Sequence, residues 1–336
     1  MFYGVQYYHK INIYKQLNRI MNNNILKTFE TFKSLSSELK SIIIGKENQI
    51  EKTLICLLAQ GHILLEDMPG VGKTTLASAL ATSIGGTFSR IQFTSDLLPF
   101  DIIGTKIYRR QTEIFEFVKG PIFANLILAD ELNRASPKTQ SALLQAMNES
   151  SVSFDKVTYE MAKPFIVIAT QNPTGSSGTY PLPESELDRF MMRISLGYPD
   201  PKYEKEILLK YSKGENENKV HTLLTPELVV EAQNYVCQIE VNDNVIDYIV
   251  RLSTAIKENS EVLQAVSPRG NIALMRASQA LAFLRGKDFV TVDLVKEVAP
   301  EVLGHRIGLK KALRTSDRSA NAEWVSCEIL QKVDVE

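Results

Sequence analysis

The sequence is short of nearly every feature that would assign it to a specialised class. Its three cysteines, Cys56, Cys237 and Cys327, are scattered and lack metal-ligand spacing. That excludes a disulfide framework and points to buried or inert thiols in a reducing compartment. The four histidines, His9, His62, His221 and His305, form no His-x-x-x-His pair, so a zinc site is not expected. No apolar run approaches the roughly 20 residues that a membrane-spanning helix needs. The first residues lack the charged, apolar and small-residue order of a secretory signal, so a cytoplasmic protein is expected. Charge of one sign is missing as well. With 38 basic and 39 acidic side chains and a net charge of −1, no global field draws the chain to nucleic acid or anionic lipid. What remains is 336 residues, 44% of them hydrophobic, enough for one large domain or two modest ones.

Against this background one stretch stands out, Glu66-Asp67-Met68-Pro69-Gly70-Val71-Gly72-Lys73-Thr74-Thr75. The apolar run Ile63-Leu64-Leu65 precedes it and the helix-forming run Leu76 to Ala81 follows it. Strand, glycine loop and helix form the context in which such a loop binds phosphate. Gly70 and Gly72 let the backbone turn so that successive N–H groups point at phosphate oxygens, and the helix beginning near Lys73 adds its positive end. Lys73 is expected to reach the β- and γ-phosphates of a nucleoside triphosphate, and the Thr74 hydroxyl to ligate Mg²⁺. The usual pattern opens with glycine; here that position is Asp67.

A second anchor is Leu126-Ile127-Leu128-Ala129-Asp130-Glu131, an apolar strand ending in two carboxylates. Asp130 is expected to hold the Mg²⁺ through its water shell, and Glu131 to act as the general base on the attacking water. A third apolar run, Phe165 to Thr170, ends at Gln171-Asn172-Pro173, where Asn172 could bond both the γ-phosphate and the attacking water. Ile42-Ile43-Ile44-Gly45 precedes the first strand; Ile44 and Gly45 either face the adenine ring or belong to the core.

The remaining texture places the elements. Helices are expected from Leu26 to Leu39 and from Glu47 to Ala59, and a strand from Phe88 to Phe93. Leu97 to Gly104 reads as a helix interrupted by Pro99. Two β-hairpins are expected, one from Thr105–Tyr108 with Ile114–Phe117, the other from Val152–Asp155 with Val157–Met161. A short helix, Glu184 to Phe190, and a strand, Met191 to Leu196, complete the first part. Beyond Tyr198-Pro199-Asp200-Pro201 only helical segments are expected, starting at Thr225-Pro226, Asp243, Ser267-Pro268 and Thr291. The domains are therefore read as a 1–40 extension, a 41–198 α/β domain and a 199–336 helical domain. Met21 is a candidate natural start.

Taken in order, these motifs resemble a MoxR-type AAA+ ATPase of the helix-2-insert clade. The resemblance rests on Leu64 to Thr74, Gly120-Pro121-Ile122-Phe123-Ala124-Asn125, Ala129-Asp130-Glu131-Leu132-Asn133-Arg134-Ala135, Ala169 to Pro173, Pro183 to Phe190, and Ser267-Pro268-Arg269. It covers about residues 40–310; an acid at position 67 is familiar in the family, and Leu132 replaces a usual Ile.

The resemblance implies a P-loop fold, with a five-stranded parallel sheet followed by an all-α lid. It matches Asn172 to sensor 1, Arg189 to the arginine finger and Arg269 to sensor 2. Arg189 could instead form a surface ion pair with Asp188 or Glu186, and Arg269 could be a solvated charge. The hairpins match the two family insertions, with Phe115 and Phe117 facing a pore or client, or packing inward. The function implied is Mg²⁺-dependent ATP hydrolysis coupled to remodelling of protein clients, among them partners carrying von Willebrand factor A domains. A homo-oligomeric ring, a hexamer with nucleotide, would be the working form. The rivals are a nucleotide switch with negligible turnover and a nucleic-acid motor; neutral net charge argues against the latter.

Overall fold

The computed structural model describes residues 27–67, 70–171, 178–212, 220–310 and 320–334. Two helices open it, residues 27–42 (α1) and Glu47–Leu58 (α2). The first strand, Ile63–Glu66 (β1), leads through the glycine loop into Lys73–Ser83 (α3), and Phe88–Gln92 (β2) follows. Next come Pro99–Ile103 (α4) and the antiparallel pair Gly104–Arg109 (β3) and Ile114–Lys119 (β4). Pro99 does not interrupt α4. It sits at the first helical position, where the missing N–H costs nothing.

Leu126–Asp130 (β5), Pro137–Glu149 (α5), a second antiparallel pair of Ser151–Phe154 (β6) and Val157–Glu160 (β7), and Ile166–Gln171 (β8) follow. Glu184–Leu187 (α6) and Met192–Ile194 (β9) end the α/β part.

The main sheet has the order β2-β5-β8-β1-β9, and all its pairings are parallel. The central strands β1, β5 and β8 are buried on both faces, as parallel strands covered by helices must be, whereas the edge strand β2 buries only Ile91. Alternate residues serve different cores. Leu65, Leu128 and Ile168 join the cluster that includes α2, α3 and the lid, while Leu64, Ile127 and Val167 join the one containing α5. Because parallel strands run the same way, every strand end that carries chemistry lies along one edge. Gln92 is paired with Asp130, and Leu65 with both Thr170 and Ile194.

The lid comprises Pro201–Ser212 (α7), Pro226–Val236 (α8), Asp243–Glu258 (α9), Pro268–Leu284 (α10) and Val292–Leu303 (α11), with a short helix Ala320–Trp324. Thr225, Asn242 and Ser267 cap the N-termini of α8, α9 and α10 with their side chains, each accepting from an amide in the first turn. The lid is not wholly helical. Val262–Gln264 (β10) pairs antiparallel with Gly308–Leu309 (β11). Strands of three and two residues are too short to carry an alternating pattern, so the sequence gives no sign of them.

The 1–40 stretch set apart as an extension is, over residues 27–40, built into the core. Phe32, Leu35 and Leu39 are fully buried, and Phe29 and Phe32 meet Phe283 of α10 edge-on at 5.9 and 5.8 Å. Each fully buried side chain of this size contributes roughly 1.5–3 kcal/mol, so α1 is firmly held. Met21 and the aromatic leader lie outside the described residues.

The cysteines divide. Cys56 is buried, and burial pushes its thiol well above the ordinary range, whereas Cys237 and Cys327 are exposed. No helix among the described residues is long and apolar enough to cross a membrane.

Candidate functional site

The glycine loop sits where β1 hands the chain to α3. Gly70 and Gly72 have φ of 88° and 95°, a region closed to most L-residues. A Cβ added to either would meet nothing within 4 Å. Glycine is therefore required by backbone geometry rather than crowding, and the space over the loop is open. Lys73 is buried, its Nζ donating to the main-chain oxygen of Asp67 at 3.0 Å. Thr74 and Thr75 are exposed in the first turn of α3, and Val71 is half-buried against the core. An open, positively biased turn with a hydroxyl in the first helical turn fits a phosphate chain with Mg²⁺. Met68 and Pro69 lie outside the described residues, as does Asn172.

The carboxylate of Asp67 is not part of this cradle. It is buried and accepts from Ser195 Oγ at 2.6 Å, Leu196 N at 2.7 Å and Gly197 N at 2.8 Å.

Across the edge from the loop stand the two acids of β5. Asp130 Oδ2 pairs with Arg90 at 2.6 Å, and its Oδ1 accepts from the hydroxyl of Thr170 at 2.7 Å. Glu131 has φ 57° and ψ 45°, a left-handed conformation that costs a non-glycine residue on the order of 1–3 kcal/mol. The amide of Glu131 donates to Thr170 Oγ1 at 2.8 Å. Its carboxylate receives Gln92 Nε2 at 3.1 Å and Arg134 Nε at 3.0 Å. The strained backbone and these donors aim Glu131 along the edge rather than back into the sheet. Together the groups could hold a Mg²⁺–triphosphate and orient a water, the metal supplying charge neutralisation on the phosphoryl oxygens. Among the described residues no cluster of three His, Cys, Asp or Glu could hold a metal by itself.

Ile44 and Gly45 are half-buried. Gly45 has φ 73°, and a Cβ there would strike the ring of Tyr203 on α7. The greasy segment thus faces a lid aromatic, not only the core of the α/β part.

The two predicted arginines occupy the opposite edge of the sheet. Met191 N donates to His62 O at 2.8 Å, so the chain between Arg189 and β9 lies beside the start of β1. The four-residue strand, about 13 Å of rise, separates that point from the glycine loop. Arg189 is half-buried, its Nη1 and Nε 2.9 and 3.2 Å from the side-chain amide of Asn148, which accepts both when its oxygen is turned toward the guanidinium. It does not pair with Asp188. That carboxylate takes Arg306 Nε at 2.8 Å and Ser267 Oγ at 2.9 Å. Ser267 caps α10, whose second residue is Arg269, exposed and without an ion pair among the described residues. Arg306 is almost fully buried. It also donates to the carbonyls of Asp188 at 3.1 Å, Phe190 at 2.6 Å and Met191 at 3.0 Å. Burial lowers its pKa, and Asp188 opposes that shift.

Sequence reasoning assigned no role to Thr170, Arg90, Gln92, Lys46, Tyr203 or Arg306, and gave Asp188 only as an alternative ion-pair partner of Arg189. Only Arg90 and Gln92 left a readable signal, polar residues two apart on a strand facing the acids of β5.

The chain matches the model of the ATPase family associated with various cellular activities (AAA) over residues 62–192, and that of the AAA lid domain over 255–323. It is 43% identical to Chaperone MoxR1 of Mycobacterium tuberculosis over 81% of this chain and 74% of that protein. It is 44% identical to YeaC of Bacillus subtilis over 88% of this chain and 92% of the relative. The chain belongs to the MoxR family of AAA+ ATPases. A crystal structure from Cytophaga hutchinsonii superposes with a TM-score of 0.87 at 37% identity, covering 95% of this chain and 98% of that one. Family membership accounts for a glycine loop and paired acids on one sheet edge followed by a helical lid, and it implies nucleotide binding. In this MoxR-family chain the sequence motifs of the loop and of β5 meet at one edge, while those of Arg189 and Arg269 meet at the other.

Proposed function

We propose that this MoxR-family chain hydrolyses ATP with Mg²⁺ at sites shared between subunits of a ring, and that turnover remodels protein clients. In this reading Lys73 and Thr74 bind the phosphates and metal, Asp130 holds the metal's water shell, and Glu131 takes the proton of the attacking water. Asn172 orients that water. Arg189 supplies a delocalised cation to the transferred phosphoryl group of the neighbouring subunit, with Arg269 serving the same neighbour. Ile44 and Gly45 flank the base.

The observation that carries the reading is the separation of the two edges. Arg189 and the cap of α10 are joined through Asp188 at the start of β1, whereas the glycine loop is at its end. Groups so placed lie about one strand length from the loop of their own chain, which favours their facing the loop of another. Ring assembly, a hexamer with nucleotide, cytoplasmic location and clients that include von Willebrand factor A proteins extend the reading. The name of the M. tuberculosis relative, a chaperone, supports its client side.

The test is ATP turnover per subunit across a wide range of protein concentration, with Arg189→Ala subunits mixed in at fixed total. Rising specific activity, and a loss greater than proportional on mixing, are expected. Flat activity with linear dilution would replace a ring ATPase with a chain that acts alone. Lys73→Ala should weaken nucleotide binding, while Glu131→Gln should bind ATP and barely turn over. Equal loss of binding in both would contradict the division of roles.

A further inference from the structure

The linker between β9 and the first lid helix, residues 195–200, is gripped from two sides. Asp67 accepts from the hydroxyl of Ser195 and from the amides of Leu196 and Gly197 at 2.6–2.8 Å. Lys46 Nζ donates to the carbonyls of Gly197 at 3.1 Å and Tyr198 at 2.9 Å. Both side chains are buried, at 5% and 7% exposure. Neither forms an ion pair among the described residues, so two buried charges are satisfied almost wholly by one short stretch of linker. Such charge-assisted bonds are the strong ones, and removing one partner leaves the other buried and unmet.

Each grip is anchored in the nucleotide site. Asp67 opens the glycine loop, and its own carbonyl is held by Lys73, the ammonium that a phosphate chain would draw. Lys46 follows Gly45, on which the Tyr203 ring of α7 rests. A glycine at position 67 would leave the amides of Leu196 and Gly197 without these partners.

We propose that Asp67 is a positioning residue that couples the phosphate loop to the lid, so that nucleotide on the loop sets the linker and, through it, α7 and Tyr203. The acid at the usual glycine position is thus a mechanical link rather than a nucleotide contact. The inference rests on the loop binding nucleotide as proposed above, not on hydrolysis or ring formation.

The test uses the full chain with Mg²⁺ and a slowly hydrolysed ATP analogue. Amide hydrogen exchange is read at Leu196–Tyr198, alongside analogue affinity and the split between kcat and KM. In the wild type the analogue should change linker exchange several-fold. In Asp67→Asn the new amide NH₂ competes with the linker donors. Linker exchange should then rise about 10–100-fold and no longer respond to the analogue. Affinity should fall less than about tenfold, with kcat falling more than KM rises.

Linker exchange in Asp67→Asn that matches wild type with and without analogue would overturn the proposal. So would lost binding with the linker still protected, because Asp67 would then be a nucleotide contact. Should Asp67→Asn not fold, Ser195→Ala removes one donor of the three and should give the same loss of response in smaller measure; an unchanged response would overturn the proposal. A wild type that binds the analogue and responds at the linker without turning over would refute the ATPase reading while leaving this coupling intact.

Discussion

The hydroxyl of Thr170 bridges the two acids of β5. It donates to Asp130 Oδ1 at 2.7 Å and accepts the amide of Glu131 at 2.8 Å. One fully buried side chain on a neighbouring strand therefore orients the expected metal-shell ligand and holds the strained backbone of the expected base.

Thr170→Val keeps the shape and removes both bonds. An orphaned buried amide costs roughly 1–3 kcal/mol, and loss of a partner behind a metal ligand typically lowers affinity or activity about 10–100-fold. Urea unfolding should show the first. A Mg²⁺ titration of ATP turnover should show the second, as a raised half-saturation with a reduced plateau. Thr170→Ser, which keeps the hydroxyl, should recover most of the plateau. A Valine variant with wild-type Mg²⁺ dependence would show that the bridge does not orient Asp130.

The sequence made the glycine loop and the acids of β5 legible because their signals are local. Gly70 and Gly72 are needed for φ, and an apolar run that stops at Asp130-Glu131 announces charge at a strand end. The grips that organise the site left no local trace. Ser195, Leu196 and Gly197 meet Asp67 from about 130 residues away, and Arg306 reaches Asp188 from 118. Such pairs form only once the sheet order β2-β5-β8-β1-β9 is in place, and no periodicity within a window reports it. The same holds for Phe29 and Phe32. Their helical spacing was readable, but their partner Phe283 was not.

His62 makes stability depend on pH. Its Nδ1 accepts from Val167 N at 3.0 Å and its Nε2 faces Met147 O at 3.0 Å, an arrangement that suits the neutral ring and opposes a second proton. Burial pushes its pKa down from 6.5 to about 4, against the hydrogen bond to Met147. The unfolded chain therefore binds the proton first. The stabilising contribution is full above pH 6.5 and is lost as pH falls toward 4, by about 3 kcal/mol over that span. His305, also lowered by burial, adds in the same direction. Denaturation at several pH values should show His62→Gln with a visibly flatter dependence across this window. A slope equal to wild type would mean that His62 does not supply it.

The two hairpin aromatics should separate. Phe117 packs against Tyr159 at 4.5 Å and Phe154 at 4.9 Å, joining one hairpin to the other. Phe115 is 66% exposed, with Tyr108 at 5.2 Å as its ring neighbour. Phe117→Ala should lower stability by about 1–3 kcal/mol, whereas Phe115→Ala should stay within about 0.5 kcal/mol of wild type. If the exposed ring contacts clients, Phe115→Ala should keep basal hydrolysis and lose client-dependent stimulation. Equal destabilisation by both would mean that Phe115 is packed in solution.

The arrangement of the two sheet edges makes a stronger demand, that two inactive chains together become active. A Lys73→Ala subunit has no working loop but offers its Arg189, and an Arg189→Ala subunit has the converse. An arginine finger contributes about 10³-fold or more to turnover, so each variant alone should be close to silent. Mixed, the first should complete the site of the second, and hydrolysis should return. Pairing Lys73→Ala with Arg269→Ala asks the same of the α10 arginine. Because Ser267 and Arg306 join that helix to Asp188, Arg269 should behave as Arg189 does, and that mixture should also regain activity. Recovery with Arg189→Ala but not with Arg269→Ala would mean that Arg269 serves the loop of its own chain. The lid would then have to swing across the sheet during turnover.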